Sequence, residues 1–141
     1  ARDTGVNPLG ISLRSCYERE LGNPRLDEVV VAETLLDRKD VFMDRSDAFI
    51  VLAGGVGSLD ELAEVMASNQ LGIINKPIGI LNTEGYYDHL LAWMQKAVEE
   101  GIISKANFDE LIISDSCEDL IERIVNEERP ADEDWTNRLG L

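Results

Sequence analysis

Five short apolar runs alternate along the chain with stretches whose apolar residues recur every three to four places. The runs are Leu9 to Leu13, Glu28 to Ala32, Asp47 to Ala53, Pro77 to Leu81 and Glu110 to Ile113, most of them apolar at consecutive positions. A strand wet on one face alternates apolar with polar, whereas a continuous run indicates a strand covered on both faces, the habit of parallel sheets. Between the runs lie Leu59, Leu62, Ala63 and Met66, then Tyr87, Leu90, Leu91, Met94 and Val98, then Leu120, Ile121 and Ile124, all at helical spacing. The alternation predicts an α/β fold: a mainly parallel sheet with helices on both faces.

Length and charge set the limits around that fold. The 141 residues are one domain's worth, enough for a core without disulfide or metal staples, and 44% hydrophobic with 29% charged residues is an ordinary globular composition. The expected organisation is one domain over 1–126 and an acidic tail over 127–141, held only if Trp135 or Leu139 docks on a partner. The net charge of −15, with no basic cluster longer than the Arg38-Lys39 pair, excludes a nucleic-acid-tracking role. A single small anion remains compatible with it, because a few focused N–H groups hold a phosphate against an adverse global charge. No run of 18 apolar residues and no basic-then-apolar leader occurs in the sequence, so neither a membrane partner nor secretion is expected and the cytoplasm is the expected compartment. Cys16 and Cys117, lacking CxxC spacing or a nearby His, read as reduced thiols, and no residue constellation has metal-ligand spacing.

Turn chemistry marks the boundaries. Gly72 and Pro77 close one helix and open the next strand, Asn82 to Gly85 is a turn leading into a helix, and Gly101 is a C′ glycine. Tyr17 to Asp27, with Gly22, Asn23 and Pro24, reads as an exposed loop, and Ala1 to Gly5 as the last turn of a helix with its glycine stop.

The most informative segment runs from Ser46 to Leu62, where a buried strand enters Gly54-Gly55-Val56-Gly57 and then an amphipathic helix. Glycines allow a sharp turn and close approach by an anion, at which the first helical N–H groups and the helix dipole are aimed. The carboxyl end of a strand is also where open α/β sheets bind ligands. There is no Gly-Lys-Ser/Thr ending and no GxGxxG spacing, so kinase and dehydrogenase readings lose their support. Spacing alone leaves open a plain strand-to-helix connection with no ligand.

Glu61 follows Ser58 by three residues, which is capping-box spacing. The same carboxylate in a first helical turn could activate water or stabilise a cationic sugar carbon, and spacing does not choose between cap and catalyst. Asp60 is turned about 100° away and reads as solvated. Arg38 and Lys39, between Asp37 and Asp40 on a short predicted helix, read either as a solvated face with local ion pairs or as an Arg aimed at a phosphate, a ribose hydroxyl or Glu61. His89 reads as exposed or capping, Met43, Met66 and Met94 as apolar filler, and Trp93 as packing on one side of its helix.

Arg38-Lys39, then Ser46-Asp47-Ala48-Phe49-Ile50, then Gly54-Gly55-Val56-Gly57-Ser58-Leu59-Asp60-Glu61 resemble the Lonely guy family of cytokinin riboside monophosphate phosphoribohydrolases, whose hallmark is an Arg-Lys pair upstream of PGGxGTxxE. The resemblance continues through Gln70-Leu71-Gly72, Lys76-Pro77, Leu81-Asn82, Gly85-Tyr86-Tyr87 and Ala97 to Gly101, so it covers most of the chain. It implies a Rossmann-like fold, a homodimer with active sites near the subunit interface, and hydrolysis of the N-glycosidic bond of an adenine-type nucleoside monophosphate without metal or organic cofactor.

Carried over by position, Arg38 and Glu61 match the family's catalytic pair, Gly54, Gly55, Gly57 and Ser58 its phosphate-side loop, and Lys39 the second member of the Arg-Lys motif. Glu61 would then stabilise the oxocarbenium-like ribose and accept a proton from the attacking water, while Arg38 orients the phosphoribosyl group and keeps Glu61 ionised. Ala53 stands where the motif has proline, Ser58 where it has threonine, and Phe42 where a methionine follows the Arg-Lys pair. The family carries two further strand-helix units ahead of the position of Ala1, so a truncated, cleaved or shortened form is expected.

Two other readings stand beside the hydrolase: a non-catalytic nucleotide or molybdenum-cofactor carrier on the same fold, which should lack the Arg and Glu pair, and an inactive fragment. Lysine decarboxylation has no support, because Lys39, Lys76, Lys96 and Lys105 all lie outside any context suited to a pyridoxal cofactor.

Overall fold

A computed structural model describes residues 5–20, 26 and 28–129. The expectations for Ala1 to Thr4, for Gly22, Asn23 and Pro24, and for Trp135 and Leu139 lie outside the described residues. The chain divides into two compact units, Ala1–Ser46 and Asp47–Leu141.

The first unit is two strand-helix repeats: β1 (Leu9–Leu13), α1 (Arg14–Glu20), β2 (Glu28–Ala32) and α2 (Leu35–Arg45). Its two strands pair in parallel from Leu9 opposite Glu28 to Leu13 opposite Ala32. Helix α1 corrects the expected loop, since Tyr17 to Glu20 are helical. Helix α2 starts on a reciprocal cap: the Asp37 N–H donates to Thr34 Oγ1 at 3.1 Å and the Thr34 N–H to Asp37 Oδ2 at 2.9 Å. Asp37 is thereby occupied in capping, and Arg38 finds its contacts on the strand side.

The second unit contains β3 (Phe49–Val51), α3 (Val56–Gln70), β4 (Ile78–Leu81), a single 3₁₀ turn (Thr83–Gly85), α4 (Asp88–Glu99), α5 (Lys105–Asp109), β5 (Leu111–Ser114) and α6 (Cys117–Val125). Its strands pair in parallel in the order β3-β4-β5, with Phe49 opposite Ile78 and Ile78 opposite Leu111. All ladders among the described residues are parallel, as the apolar runs predict. Both predicted glycine stops are present in the left-handed region, Gly72 at φ +66° and Gly101 at φ +72°.

Strand alternation then sorts the helices to opposite faces of this sheet. Ile78 and Leu111 face Leu62 and Met66 of α3 and Leu90 and Met94 of α4. One residue on, Gly79 and Ile112 face α6, whose Leu120 and Ile124 complete a core cluster with Ile112. Gly79 has no side chain because α6 crosses there: a Cβ would lie 2.6 Å from Ile124 Cδ1 and 3.0 Å from Leu120 Cδ1. Leu62, Ile80 and Leu120 are the largest fully buried side chains. No helix among the described residues is long and apolar enough to cross a membrane.

Candidate functional site

The carboxyl end of β3 leads directly into the glycine turn. Helix α3 begins at Val56 with Gly55 as N-cap, and no side chain caps it. The first helical bond is from the Leu59 N–H to the Gly55 carbonyl at 3.1 Å, so the amides of Val56, Gly57 and Ser58 come before any intrahelical acceptor. These three donors, at the positive end of a 15-residue helix, form an anion-seeking surface.

The capping box that the Ser58 and Glu61 spacing allows is not formed. It needs Ser58 as N-cap, but the backbone turns helical at Val56, which makes Ser58 the third residue and Glu61 the sixth. Glu61 therefore sits in the second turn rather than the first, four residues after Gly57 and three after Ser58, on their face of the helix. Side chains on a helix lean toward its N-terminus, so Glu61 leans back over the turn that carries the open amides. It is half-buried, whereas Asp60 is exposed, as its spacing predicts.

The three glycines differ in their surroundings. A Cβ on Gly54 would fall 2.1 Å from Ser58 Oγ and 2.9 Å from Ser58 Cβ, so Ser58 is folded back onto the turn. Gly55 and Gly57 would meet no described atom within 4 Å, and neither has a positive φ. Packing thus explains Gly54 and leaves the openness at Gly55 and Gly57 as space beside the helix N-terminus.

Tyr86 and Tyr87 belong to this site, although the sequence reasoning gave them no role there. Tyr86 Oη donates to the Gly54 carbonyl at 2.8 Å and Tyr87 Oη to the Leu52 carbonyl at 2.7 Å. Their rings pack edge to face with centroids 4.9 Å apart. Burial raises the Tyr87 phenol above its ordinary value of 10.0, opposed by a hydrogen bond with the Gly54 backbone, so it stays a neutral donor at physiological pH. The available signal was Gly85-Tyr86-Tyr87 itself, two adjacent phenols at the mouth of a turn.

Arg38 and Lys39 lie in the first unit, both half-buried on α2. Arg38 Nε donates to the Ile11 carbonyl of β1 at 3.3 Å and the guanidinium carbon stands 5.1 Å from the Phe42 ring centroid. Arg38 is therefore held by its own unit's strand and ring rather than on a solvated charged face. Glu61, Ser58 and the glycines all lie in the second unit.

The remaining candidates fall away from the turn. His89 is exposed at the second position of α4. Met66, Met94 and Trp93 line a cavity of ≈ 520 Å³ between α3 and α4, whose lining also includes Asn69, Asn107 and Glu110. Trp93 is 61% exposed instead of packed on its helix. Beyond α6, Arg129 is 10% exposed, donates to Asn75 Oδ1 at 3.1 Å and pairs with Glu127 at 3.4 Å, so the first residues of the expected tail are tied in.

Residues 1–124 match a family model described as possible lysine decarboxylase. Among curated proteins, the chain is 38% identical over 122 residues to a cytokinin riboside 5'-monophosphate phosphoribohydrolase of Mycobacterium marinum, covering 86% of this chain and 65% of the relative. It is 36% identical over 137 residues to an Arabidopsis thaliana protein with that activity in its name, covering 97% and 64%. A Mycobacterium tuberculosis relative, again so named, is 37% identical over 121 residues, covering 86% and 65%. The chain thus spans just under two thirds of the length of these relatives.

Proposed function

The chain belongs to the Lonely guy family, and from that membership we propose that it hydrolyses the N-glycosidic bond of an adenine or prenylated adenine nucleoside 5'-monophosphate, the cytokinin-activating reaction. The products are the free base and ribose phosphate. The observation that carries this reading is the uncapped N-terminus of α3, open at Gly55 and Gly57, with Glu61 one turn along the same face.

The phosphate sits against the amides of Gly55 to Ser58, where the helix dipole offsets the chain's net charge of −15. The base departs with the electron pair of the glycosidic bond and takes a proton from solvent, leaving positive charge on the sugar carbon. The Glu61 carboxylate stabilises that charge and takes a proton from the water that attacks the carbon. By their match to the family's Arg-Lys motif, Arg38 is assigned to hold the phosphoribosyl group through its planar fork and Lys39 to support it with charge. The family model's description names a lysine decarboxylase, but Lys96 pairs with Glu100 at 2.7 Å and Lys105 with Asp109, both on exposed helix surface. We place the reaction in the cytoplasm, where exposed free thiols such as Cys16 and Cys117 stay reduced, and assign the working form as a homodimer.

The test is base release, followed by chromatography, from adenosine monophosphate and its prenylated form against the corresponding ribosides. Release is expected from the monophosphates alone. Glu61→Gln is expected to lower turnover by about 10²–10⁴-fold, the range for loss of a general base, while nucleotide affinity stays within about tenfold. Tight nucleotide binding with no base release by the unmodified protein would instead favour a carrier.

A further inference from the structure

We propose that Tyr86 and Tyr87 are positioning residues that aim the glycine-turn amides at the substrate phosphate by holding the carbonyls on the other side of the same peptide planes. The inference rests on the phosphate seat proposed above. In a trans peptide the C=O and the next residue's N–H point in opposite directions. Tyr86 Oη fixes the Gly54 carbonyl, which turns the Gly55 N–H the other way, and Tyr87 Oη, bonded to the Leu52 carbonyl and to the Gly54 backbone, fixes the peptides that lead into the turn. A glycine turn left to itself samples many orientations, because glycine has the widest backbone freedom. Two phenols remove that freedom where the strand enters the turn, so the Gly55 donor is set before ligand arrives.

The segment that delivers the phenols is itself built for the task. Glu84 and Gly85 both occupy the left-handed region, at φ +53° and +71°, a conformation a glutamate adopts only where its surroundings enforce it. Asn82 enforces it: its N–H donates to the Ser114 carbonyl of β5 at 2.8 Å, its Oδ1 accepts from the Tyr87 N–H at 2.7 Å, and its Nδ2 donates to Asp88 Oδ1 at 2.8 Å. The turn is thereby anchored to the sheet at one end and to α4 at the other. Tyr86 is 56% exposed yet keeps its hydroxyl on Gly54, and Tyr87 is buried behind it.

The experiment is calorimetric titration of inorganic phosphate, ribose phosphate, adenosine monophosphate and unphosphorylated adenosine into the full chain and its Tyr86→Phe and Tyr87→Phe variants. Each variant is expected to bind the phosphorylated ligands about fivefold to tenfold more weakly, the worth of one hydrogen bond, with adenosine affinity unchanged. A purely structural role would lower the melting temperature and leave phosphate affinity of the folded protein as it was. Tyr86 is half in solvent, so Tyr86→Phe carries the test should Tyr87→Phe fail to fold. Phosphate affinities within about twofold of the unmodified chain overturn the clamp alone. Failure of the unmodified chain to bind ribose phosphate overturns the phosphate seat and the clamp with it.

Discussion

Gly54 and Gly55 are neighbours that lack a side chain for different reasons. At Gly54 a methyl group would collide with Ser58 Oγ at 2.1 Å, while at Gly55 it would enter open space at φ −100°. Gly54→Ala is expected to lower stability by about 1–3 kcal/mol through overpacking, and Gly55→Ala by less, about 0.5–1 kcal/mol, the N-cap preference for Gly over Ala. The order reverses for ligand, since a methyl at Gly55 fills the space beside the amides that the phosphate needs. Urea unfolding of both variants, paired with ribose phosphate titration, checks this; equal losses of stability would place the wrong neighbour at Gly54. The turn itself was legible in the sequence, because three glycines clustered after an apolar run and before an amphipathic stretch mark a strand-to-helix junction. The Ser58 cap that spacing allowed does not form, because the helix start is set by the backbone at Gly55 and Val56, which spacing does not show. The tyrosine hydroxyls were out of reach for another reason: their acceptors are carbonyls 32 and 35 residues away.

Strand β4 and helix α6 show what a pattern of residues encodes at the next scale. Leu120 is 1% exposed, packs with Ile112 and Ile124, and reaches over the bare backbone of Gly79. Leu120→Ala is expected to cost about 2–5 kcal/mol, toward the upper end because a leucine that no solvent reaches leaves a cavity its rigid strand cannot close. A shift in the urea midpoint at unchanged slope would measure it, and a loss below about 1 kcal/mol would show α6 to be loosely seated. All five strands among the described residues appear where the apolar runs put them, although burial is near continuous only in β4 and β5 and Ile50 of β3 is 46% exposed. Helices α1 and α5 escaped notice because they span 7 and 5 residues, Arg14–Glu20 and Lys105–Asp109, and neither is long enough to display an apolar stripe. Helices so short draw their stability from packing on their neighbours, which local sequence does not announce.

For the whole molecule, the homodimer assignment sets two forces against each other. Apolar surface on the second unit favours association: Trp93 is 61% and Leu59 43% exposed, both on the rim of the cavity between α3 and α4. Against it stands a net charge of −15 on each copy. Copies at that charge repel over the Debye length, which falls from about 30 Å at 0.01 M salt to about 10 Å at 0.1 M. Apolar contact is insensitive to salt in this range, so screening removes the opposing force and leaves the favourable one. The dimer fraction at micromolar protein, read by sedimentation velocity, is therefore expected to rise with ionic strength between those two concentrations. Trp93→Glu puts a carboxylate on the apolar rim and adds to the repulsion, and is expected to sediment as a monomer at both. A chain that stays monomeric at 0.1 M salt would remove the homodimer, and a dimer that salt loosens would mean that ion pairs, not the Trp93 surface, join the copies.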